Sequence, residues 1–473
     1  MSEFARSRAM RQFYRNVFTR FIDLPEADVM PANIVAEIFS FKSANITTLE
    51  PMIRAVETGL DAEKDAALKD MLCAIVLANT ALDESIIGEK QTLSAEMNTQ
   101  LTEYVVSALK ADDNIHYLVA AIQLLFRVNE ISSALFLINN NLSLVSNSAP
   151  VLKILLLICL MENDFNQAMV VIQALTADAA LIGEDPIALL MITCGIYRLG
   201  GIPDSYIDFR SLNVSEHTVE NQSYDYWIAK STAAKTTVLV TCDNEDYFEH
   251  AVPMLYSLYE INRDVLDVHV HLINGNDDVK HSLMTLSEQL PELNLSASHE
   301  QITRNEGMSV VRAARRIVFL HHALQVFNTP IIAINPNVLV RKPWCEPETA
   351  LLLLQTESSP FWEEVFAGFI YAKPGGVAQR YFDRVVPFIH TNLARGNHAP
   401  GLEQVALFSC LDTLSPEDRL AIARVERSGI LDSQAGDEAF CWVARNTAGP
   451  YQEYKSSLIR TYQRALLNKS NFC

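Results

Sequence analysis

The pattern of apolar residues along the chain changes at the stretch TTVLVTCDNEDYFEHAVPMLYSL, residues 236–258. Its first seven residues are apolar or β-branched, which is typical of a buried strand. This run ends in an Asp-Asn turn at Asp243 and Asn244. The residues after the turn are apolar at helical spacing, so they predict an amphipathic helix. A strand that leads directly into a helix is the unit from which parallel sheets are built.

The same alternation continues downstream. DVHVHLIN (267–274) alternates like a strand, HSLMTLSEQLPEL (281–293) reads as a helix, and ARRIVFLHHALQVF (314–327) leads as a helix into the strand PIIAINPNVLV (330–340). Short strands that alternate with helices predict an α/β domain with a mainly parallel, Rossmann-like sheet. We assign it residues 236–448 and expect a helical tail over 449–473.

Residues 1–209 are expected to be all-α, since their apolar residues recur at helical spacing. Within them Leu125–Ile138 aligns with Cys159–Ile172 at an offset of 34 residues, the length of a tetratricopeptide repeat. A third, looser unit follows. Tetratricopeptide-like repeats and an irregular helical bundle both fit this pattern. The polar, aperiodic stretch 210–235 is interpreted as the connection between the two domains.

The composition restricts the class of partner. The chain has 473 residues, a net charge of −20 and a hydrophobic fraction of 49%. So acidic a surface repels nucleic acid and anionic membranes. Most of the eight cysteines lie in apolar runs and none forms a C-x-x-C pair, which indicates free thiols. There is no secretory signal pattern or span-length apolar run. We therefore expect a cytoplasmic protein without a membrane span, and leave self-association open.

In their order and spacing, the segments from Thr236 to about Leu411 resemble the A-type glycosyltransferase fold, which binds a nucleotide-diphosphate sugar. They are most similar to the relatives of glycogenin and the bacterial lipopolysaccharide galactosyltransferases. The resemblance implies that the first strand end lines the nucleotide pocket, through Thr241, Cys242, Asp243 and Asn244. It also implies a donor-facing arginine on the helix before the metal motif. Arg316 matches by spacing, with Arg312 and Arg315 as neighbours.

The metal motif itself departs from the family. Two aspartates that hold a divalent cation in relatives would fall on Asn335 and Asn337, with Pro336 between them. Asparagine lacks the charge that a hard cation requires, so manganese or magnesium is not expected. Arg316, Arg341 or Lys342 would instead neutralise the departing diphosphate.

The resemblance also implies a sugar site. Ala367 and Gly368 keep the small pair of a family motif, whereas Phe366 stands in place of its asparagine. Glu403 and Gln404 match an acidic-Gln pair that lies at the sugar and the anomeric carbon in relatives. A carboxylate at that position orients hydroxyls or acts as a base toward the acceptor.

The sequence thus predicts a glycosyltransferase that moves a hexosyl or N-acetylhexosaminyl group, with no certain cofactor. Helical repeats present surfaces suited to proteins, so a protein acceptor on the helical domain is favoured. The alternative is a non-catalytic pseudo-glycosyltransferase that serves as a scaffold or binding module. A helical adaptor that binds no nucleotide is a third reading.

Overall fold

The computed structural model describes residues 12–40, 46–61, 63–80, 93–203, 206–213, 223–231, 235–303, 307–355, 360–432, 435–444 and 449–470. The chain divides into two compact units. The first comprises residues 1–200 and 358–360, and the second comprises residues 201–357 and 361–473. Among the described residues, no helix is both long enough and apolar enough to cross a bilayer.

The described part of the first unit is helical. Its helices are α1 Gln12–Thr19, α2 Ala32–Ile38, α3 Ile46–Gly59, α4 Ala66–Asn79, α5 Ala95–Ala111, α6 Ile115–Arg127, α7 Ile131–Asn140, α8 Leu142–Val145, α9 Ala149–Met161, α10 Phe165–Ala177, α11 Ala179–Ile182 and α12 Pro186–Arg198. A single 3-10 turn, Pro25–Val29, also lies here among the described residues.

The two segments that align at 34 residues have the same local structure. Asn129 and Asn163 are both left-handed, with φ of 70° and 56°, and each lies two residues after the first helix of its pair. A short polar side chain tolerates this conformation better than most residues do. Ala134 and Ala168 are both fully buried, as helices that approach closely require. The looser third match retains α12 as a first helix, but no second helix follows it in residues 201–203 or 206–208.

The second unit contains eleven described strands. They are β1 Asp225–Ile228, β2 Thr236–Cys242, β3 Leu266–Ile273, β4 Ser296–Glu300, β5 Ile331–Ile334, β6 Val338–Val340, β7 Leu351–Gln355, β8 Phe366–Ala372, β9 Ile422–Glu426, β10 Leu431–Asp432 and β11 Cys441–Val443.

Its helices follow the strands in the predicted alternation. They are α13 Asn244–Asp246, a π-turn Tyr247–Ala251, α14 Val252–Asn262, α15 Asp277–Gln289, α16 Met308–Val326, α17 Gly376–Ala394, α18 Leu402–Asp412, α19 Pro416–Leu420 and α20 Pro450–Ser470. Short 3-10 turns cover Phe209–Asn213, Pro291–Leu293, Phe361–Glu363 and Arg427–Gly429.

The main sheet has eight strands in the order β1-β4-β3-β2-β5-β8-β7-β9. Its centre, β4 through β5, is parallel, whereas β1 and β8 run antiparallel to their neighbours. The sheet is therefore mixed but mostly parallel, which agrees with the mainly parallel sheet that the alternation of strands and helices predicts. Every residue of β2 and β3 is buried, as expected for strands covered on both faces. A second, three-stranded sheet has the order β10-β11-β6.

The stretch 210–235, predicted as a connection, contains strand β1. Asp225–Ile228 pairs antiparallel with β4 at one edge of the main sheet. A strand of four residues between polar neighbours carries too short an alternation to be recognised by periodicity. The two units divide after Gly200 instead, so this stretch belongs to the second unit. Residues 214–222 and 232–234 of the stretch lie outside the described residues.

Candidate functional site

The strand order reverses beside β2. From β2 the chain adds β3 and β4 on one side, and then crosses to place β5 on the other side. Loops that leave neighbouring strands in opposite directions open a crevice at the carboxyl ends of those strands, where open α/β sheets bind ligands. We call this edge, at the ends of β2, β3 and β5 and the start of the antiparallel β8, the carboxyl edge.

A pocket of about 290 Å³ opens at the carboxyl edge. Its lining residues are Asp243, Asn244, Glu245, Ile273, Asn274, Met308 and Arg312. They come from the end of β2, the end of β3 and the first turns of α16. The pocket thus combines two of the predicted nucleotide-binding residues with two segments, Ile273–Asn274 and Met308, that were not predicted.

The turn after β2 is held by its own side chains. Asp243 Oδ1 accepts a hydrogen bond from Asp246 N at 3.0 Å and so caps the helix that follows. Asn244 Nδ2 donates to Asn274 O at 3.1 Å, and Asn244 Oδ1 accepts from Asn276 N at 3.0 Å. The predicted Asp-Asn pair therefore has a structural role in joining the ends of β2 and β3.

The two residues before this turn are buried. Thr241 is 8% exposed, and its Oγ1 is a buried atom with no hydrogen-bond partner in the described part of the chain. Burial raises the pKa of the Cys242 thiol well above its ordinary value, which keeps it protonated. Cys242 is therefore a buried apolar residue rather than a nucleophile, and it is not among the residues that line the pocket.

Three arginines of α16 have three different surroundings. Arg312 lines the pocket and donates a hydrogen bond to Asp243 Oδ2. Arg315 is bonded to Glu300 at the end of β4. Arg316, the arginine selected by spacing, is only 7% exposed, and its Nε is buried without a protein partner among the described residues. Because Arg312 and Arg316 are four residues apart, they lie on one face of the helix.

Arg316 and Glu403 interact electrostatically. Burial lowers the pKa of Arg316, and the negative charge of Glu403 opposes this. Burial raises the pKa of Glu403, an effect that Arg316 opposes and Glu363 reinforces. The predicted donor arginine and the predicted catalytic carboxylate are thus neighbours, although strands β5 to β8 and helix α17 separate them in the sequence.

The start of α18 carries unsatisfied polar atoms. Gln404 Nε2 donates to Glu363 Oε1 at 3.2 Å. Glu403 Oε2 and Gln404 Oε1 are buried, and neither has a hydrogen-bond partner in the described ranges. A buried oxygen without a partner costs free energy, so such atoms mark strain or a ligand position.

The degraded metal motif lies at the end of β5. Asn335 N donates to Gly368 O at 3.1 Å, which joins the motif to the predicted small pair on β8. Asn337 O accepts from Ala444 N at 2.9 Å, and Asn337 Oδ1 is buried without a partner among described residues. In the described ranges no group of three or more His, Cys, Asp or Glu side chains is placed to hold a metal ion.

The small pair on β8 is covered by an aromatic ring. A Cβ atom added to Gly368 would lie 2.3 Å from Phe366 Cε1, so only glycine leaves room for this ring. The guanidinium of Arg427 lies 5.1 Å from the centre of the same ring. Ala367 is buried beside it. Phe366, which replaces the asparagine of the resembled family, therefore packs over the position predicted for the sugar.

Arg341 belongs to a different cluster. Its guanidinium lies 4.0 Å from the ring centre of Trp442 and 4.3 Å from that of Tyr454. Trp442 is on β11 and Tyr454 on α20, so this arginine joins the small sheet to the last helix. Of the predicted residues, Asp243 and Asn244 line the pocket, and Asn335 and Gly368 are joined at the carboxyl edge, whereas the Arg341 charge lies between two aromatic faces.

The pocket is acidic overall. Asp243 and Glu245 line it, and Asp246 follows in the same helix, while Arg312 is the lining cation. Burial raises the pKa of Asp246, and the charges of Glu245 and Glu249 raise it further. Sequence reasoning preferred Arg316 to Arg312 on spacing. The sequence signal for the pocket residues at the end of β3 is the Asn-Gly pair that follows this strand. Asn274 in that pair is left-handed, with φ of 55°.

The sequence matches no protein-family model, and it matches none of the curated proteins with which it was compared.

Proposed function

We propose that the second unit binds a nucleotide-diphosphate sugar at the carboxyl edge and transfers its hexosyl or N-acetylhexosaminyl group to an acceptor. One observation carries this proposal. Asp243 and Asn244 line the pocket at this edge, Asn335 at the end of the adjacent β5 is hydrogen-bonded to Gly368, and Arg316, one helical turn after the pocket residue Arg312, interacts electrostatically with Glu403. Open α/β sheets bind their ligands at such a strand-order reversal.

The pocket is suited to the nucleoside part of the proposed donor. A base presents donors and acceptors on its edge, and the pocket offers carboxylates at Asp243 and Glu245 and an amide at Asn274. Because the lining has two carboxylates and one arginine, recognition there would rest on hydrogen bonds to uncharged base and ribose groups. The diphosphate would lie beside Arg312, which lines the pocket, and toward Arg316, which follows on the same face of α16.

Arginine replaces the metal ion in this proposal. Asn335 and Asn337 supply no negative charge, so a cation would gain little there. Arg316 is buried, and a buried guanidinium stabilises developing phosphate charge more strongly than one in water. Its Nε has no protein partner in the described part of the chain and is available to a phosphate oxygen.

Glu403 and Gln404 would serve the sugar end. An acceptor hydroxyl oxygen forms the new bond to the anomeric carbon, the bond from that carbon to the diphosphate breaks, and the hydroxyl proton passes to a base. Glu403 is the carboxylate proposed as that base, and its raised pKa favours proton uptake. The unsatisfied Gln404 oxygen would accept from a sugar hydroxyl.

The acceptor proposed is a protein, held by the helical unit. The support is the repeat geometry shared by α6–α7 and α9–α10, since stacked repeats present extended binding surfaces. All seven described cysteines are free and six of them are buried. We infer from this a reducing, cytoplasmic compartment.

A second candidate function is donor binding without transfer. Phe366 packs over Gly368 at the predicted sugar position, and Arg312 is already bonded to Asp243. Both contacts would have to open for a complete donor to enter. A pseudo-glycosyltransferase that keeps only the nucleotide end would leave them closed.

The experiment is calorimetric titration of the protein with UDP- and GDP-sugars, using R312Q and R316Q. Loss of one charge-assisted hydrogen bond is worth about 1.5–3 kcal/mol, so each variant should weaken donor binding roughly 10- to 100-fold. The exposed Arg419→Gln is the matched control and should bind as the parent does. Equal affinity in all four proteins would overturn the site, and binding without product formation would select the second candidate.

A further inference from the structure

Buried polar side chains line one face of the β3–β4 pair. His269 and His271 alternate on β3, and Ser296, Ser298 and Glu300 alternate on β4. The register pairs His269 with Ser296 and His271 with Ser298. The histidines and serines are 0% exposed, and Glu300 is 6% exposed. We call these five residues the His–Ser chain, and nothing in the proposed transfer reaction uses it.

The chain is a continuous series of hydrogen bonds. Ser296 Oγ lies 2.8 Å from His269 Nδ1, and His269 Nε2 lies 2.8 Å from Ser298 Oγ. Ser298 Oγ in turn lies 2.8 Å from His271 Nδ1, and His271 Nε2 lies 3.1 Å from Glu300 Oε1. Each ring nitrogen and each hydroxyl is therefore occupied, and the partners determine which nitrogen carries the proton.

The carboxylate of Glu300 is the negatively charged end of the His–Ser chain. Arg315 Nε donates to its Oε1 at 3.1 Å, and Arg315 Nη2 donates to Oε2. Burial alone would raise the pKa of Glu300, but the hydrogen bonds from His271 and Arg315 lower it below its ordinary value. An ionised carboxylate only accepts hydrogen bonds, so His271 Nε2 must carry a proton.

Other charged and titratable groups face the chain from each element packed on it. They are Lys230 after β1, Tyr224 before it, Tyr226 on it, His299 on β4, Arg315 and His322 on α16, and His390 on α17. The ring of Phe319 is stacked on His271 with 3.7 Å between centres. An apolar ring on one side and cations on the other oppose a permanent charge on this histidine.

In the neutral chain every donor points toward Glu300. Ser296 donates to His269 Nδ1, and His269 donates from Nε2 to Ser298. Ser298 donates to His271 Nδ1, and His271 donates from Nε2 to Glu300. Both histidines are then Nε2–H tautomers, and no hydrogen bond lacks a proton.

One additional proton reverses three of these bonds. His271 then carries protons on both nitrogens and donates from Nδ1 to Ser298, which donates to His269 Nε2. His269 donates from Nδ1 to Ser296. Ser296 then donates to Val268 O, with which its Oγ is already within hydrogen-bond distance at 3.1 Å. The protonated chain is therefore as fully bonded as the neutral one, and its charge lies beside Glu300.

We propose that the His–Ser chain is a two-state proton switch, in which uptake of one proton from solvent charges His271 and converts His269 from the Nε2–H to the Nδ1–H tautomer. The step balances as one proton gained by the chain and one proton transferred within each of the three serine–histidine hydrogen bonds. No oxidant, reductant or covalent bond is involved. The switch joins the middle of the sheet to Arg315 on α16.

The pKa directions agree with this division of roles. Burial lowers the pKa of His269 well below its ordinary value, and the charges of His271, Lys230 and His322 lower it further. Burial also lowers the pKa of His271, but the hydrogen bond from His271 to Glu300 raises it. His271 therefore takes the charge, and His269 changes only its tautomer. The transition lies below the ordinary histidine value of 6.5.

The test is long-range ¹H–¹⁵N correlation NMR of ¹⁵N-histidine protein between pH 8 and the acid limit of folding. Peaks are assigned with His269→Asn and His271→Asn. We expect both rings to be Nε2–H at pH 8. On acidification His271 should become doubly protonated, and His269 should change to Nδ1–H with the same midpoint. The proposal is overturned if His269 keeps its tautomer, takes a charge itself, or changes at a different pH.

The matched variants are Ser298→Ala and Ser298→Thr. Alanine removes the hydroxyl that links the two rings, so His271 should still titrate while His269 no longer follows it. Threonine restores the hydroxyl and the coupling, and Ser287→Ala, a half-buried serine of α15, should leave both rings as in the parent. Coupling that persists in Ser298→Ala would contradict the chain. The parent titration alone decides the question if a variant does not fold.

Discussion

The amide nitrogen of Asn335 lies 3.1 Å from the carbonyl oxygen of Gly368. Asn335 stands where a metal-binding aspartate is expected from the resemblance, and Gly368 belongs to the predicted sugar motif. The register of β5 and β8 brings the two motifs together, since Ile334 pairs with Phe369. This hydrogen bond holds the end of β5 to the start of β8, so one rigid sheet edge carries both predicted subsites.

Gly368 is the position where size is most restricted. Gly368→Ala should destabilise the protein by about 1–3 kcal/mol, because the added Cβ would overlap the Phe366 ring at 2.3 Å. Urea unfolding measures the free energy change. Gly429→Ala is the control, since a Cβ there meets nothing within 4 Å, and it should leave stability unchanged. If both variants unfold at the parent's midpoint, the ring does not pack as described.

Substitution of Arg341 distinguishes a role in stability from a role in donor binding. Arg341→Ala removes a cation from between Trp442 and Tyr454 and should cost about 1–2 kcal/mol of stability. Donor affinity, measured by calorimetry at a temperature where the variant is folded, should not change. The initial prediction that Arg341 contacts the donor requires the reverse result: weaker binding with little loss of stability.

Arg316 and Glu403 should be energetically coupled. R316Q and E403Q each leave the other charge in a buried setting, which is destabilising. The double variant removes both charges, so its loss should be smaller than the sum of the single losses by about 1–3 kcal/mol. A double-mutant cycle from urea unfolding gives this coupling. Strict additivity would mean that the two charges do not interact.

Acid should destabilise the second unit through buried histidines. Burial lowers the pKa of His390 to about 4. In the unfolded chain the imidazole takes its proton near 6.5, so between pH 6.5 and 4 the unfolded state binds more protons and stability falls as pH falls. The slope is at most about 1.4 kcal/mol per pH unit for one histidine.

His390→Gln should reduce that slope. The measurement is the urea midpoint from pH 7 to 4.5, with exposed His281→Gln as the control of equal chemistry. The parent and H281Q should lose stability in parallel, while H390Q loses less. Three parallel curves would show that His390 takes its proton equally well in the folded state.

The sequence patterns predicted the parts of the fold that depend on local periodicity. Strand β2, the capping turn at Asp243 and the repeat that places Asn129 and Asn163 in equivalent turns were all visible in short windows. Strand β1 was missed because four residues between polar neighbours carry no period. Its place in the sheet depends on pairing with β4, a contact that no local pattern reveals.

The candidate site was predictable to the level of segments but not of individual side chains. Helical spacing puts Arg312 and Arg316 on one face, yet only packing shows that Arg312 reaches the pocket while Arg316 is buried toward Glu403. The aromatic partners that hold Arg341 are supplied by β11 and α20, far along the chain. Partners that are distant in sequence determine the position of a charged side chain in the fold, and a single sequence does not specify them.

The central claim is that the carboxyl edge binds a nucleotide-diphosphate sugar without a metal ion. Its most direct test is the melting temperature of the purified protein against UDP-, GDP- and other nucleotide sugars, each with manganese and with a chelator. Because a ligand that binds only the folded state raises the melting temperature, one donor class should raise it equally under both conditions. No shift with any donor, or a shift that requires manganese, would contradict the account.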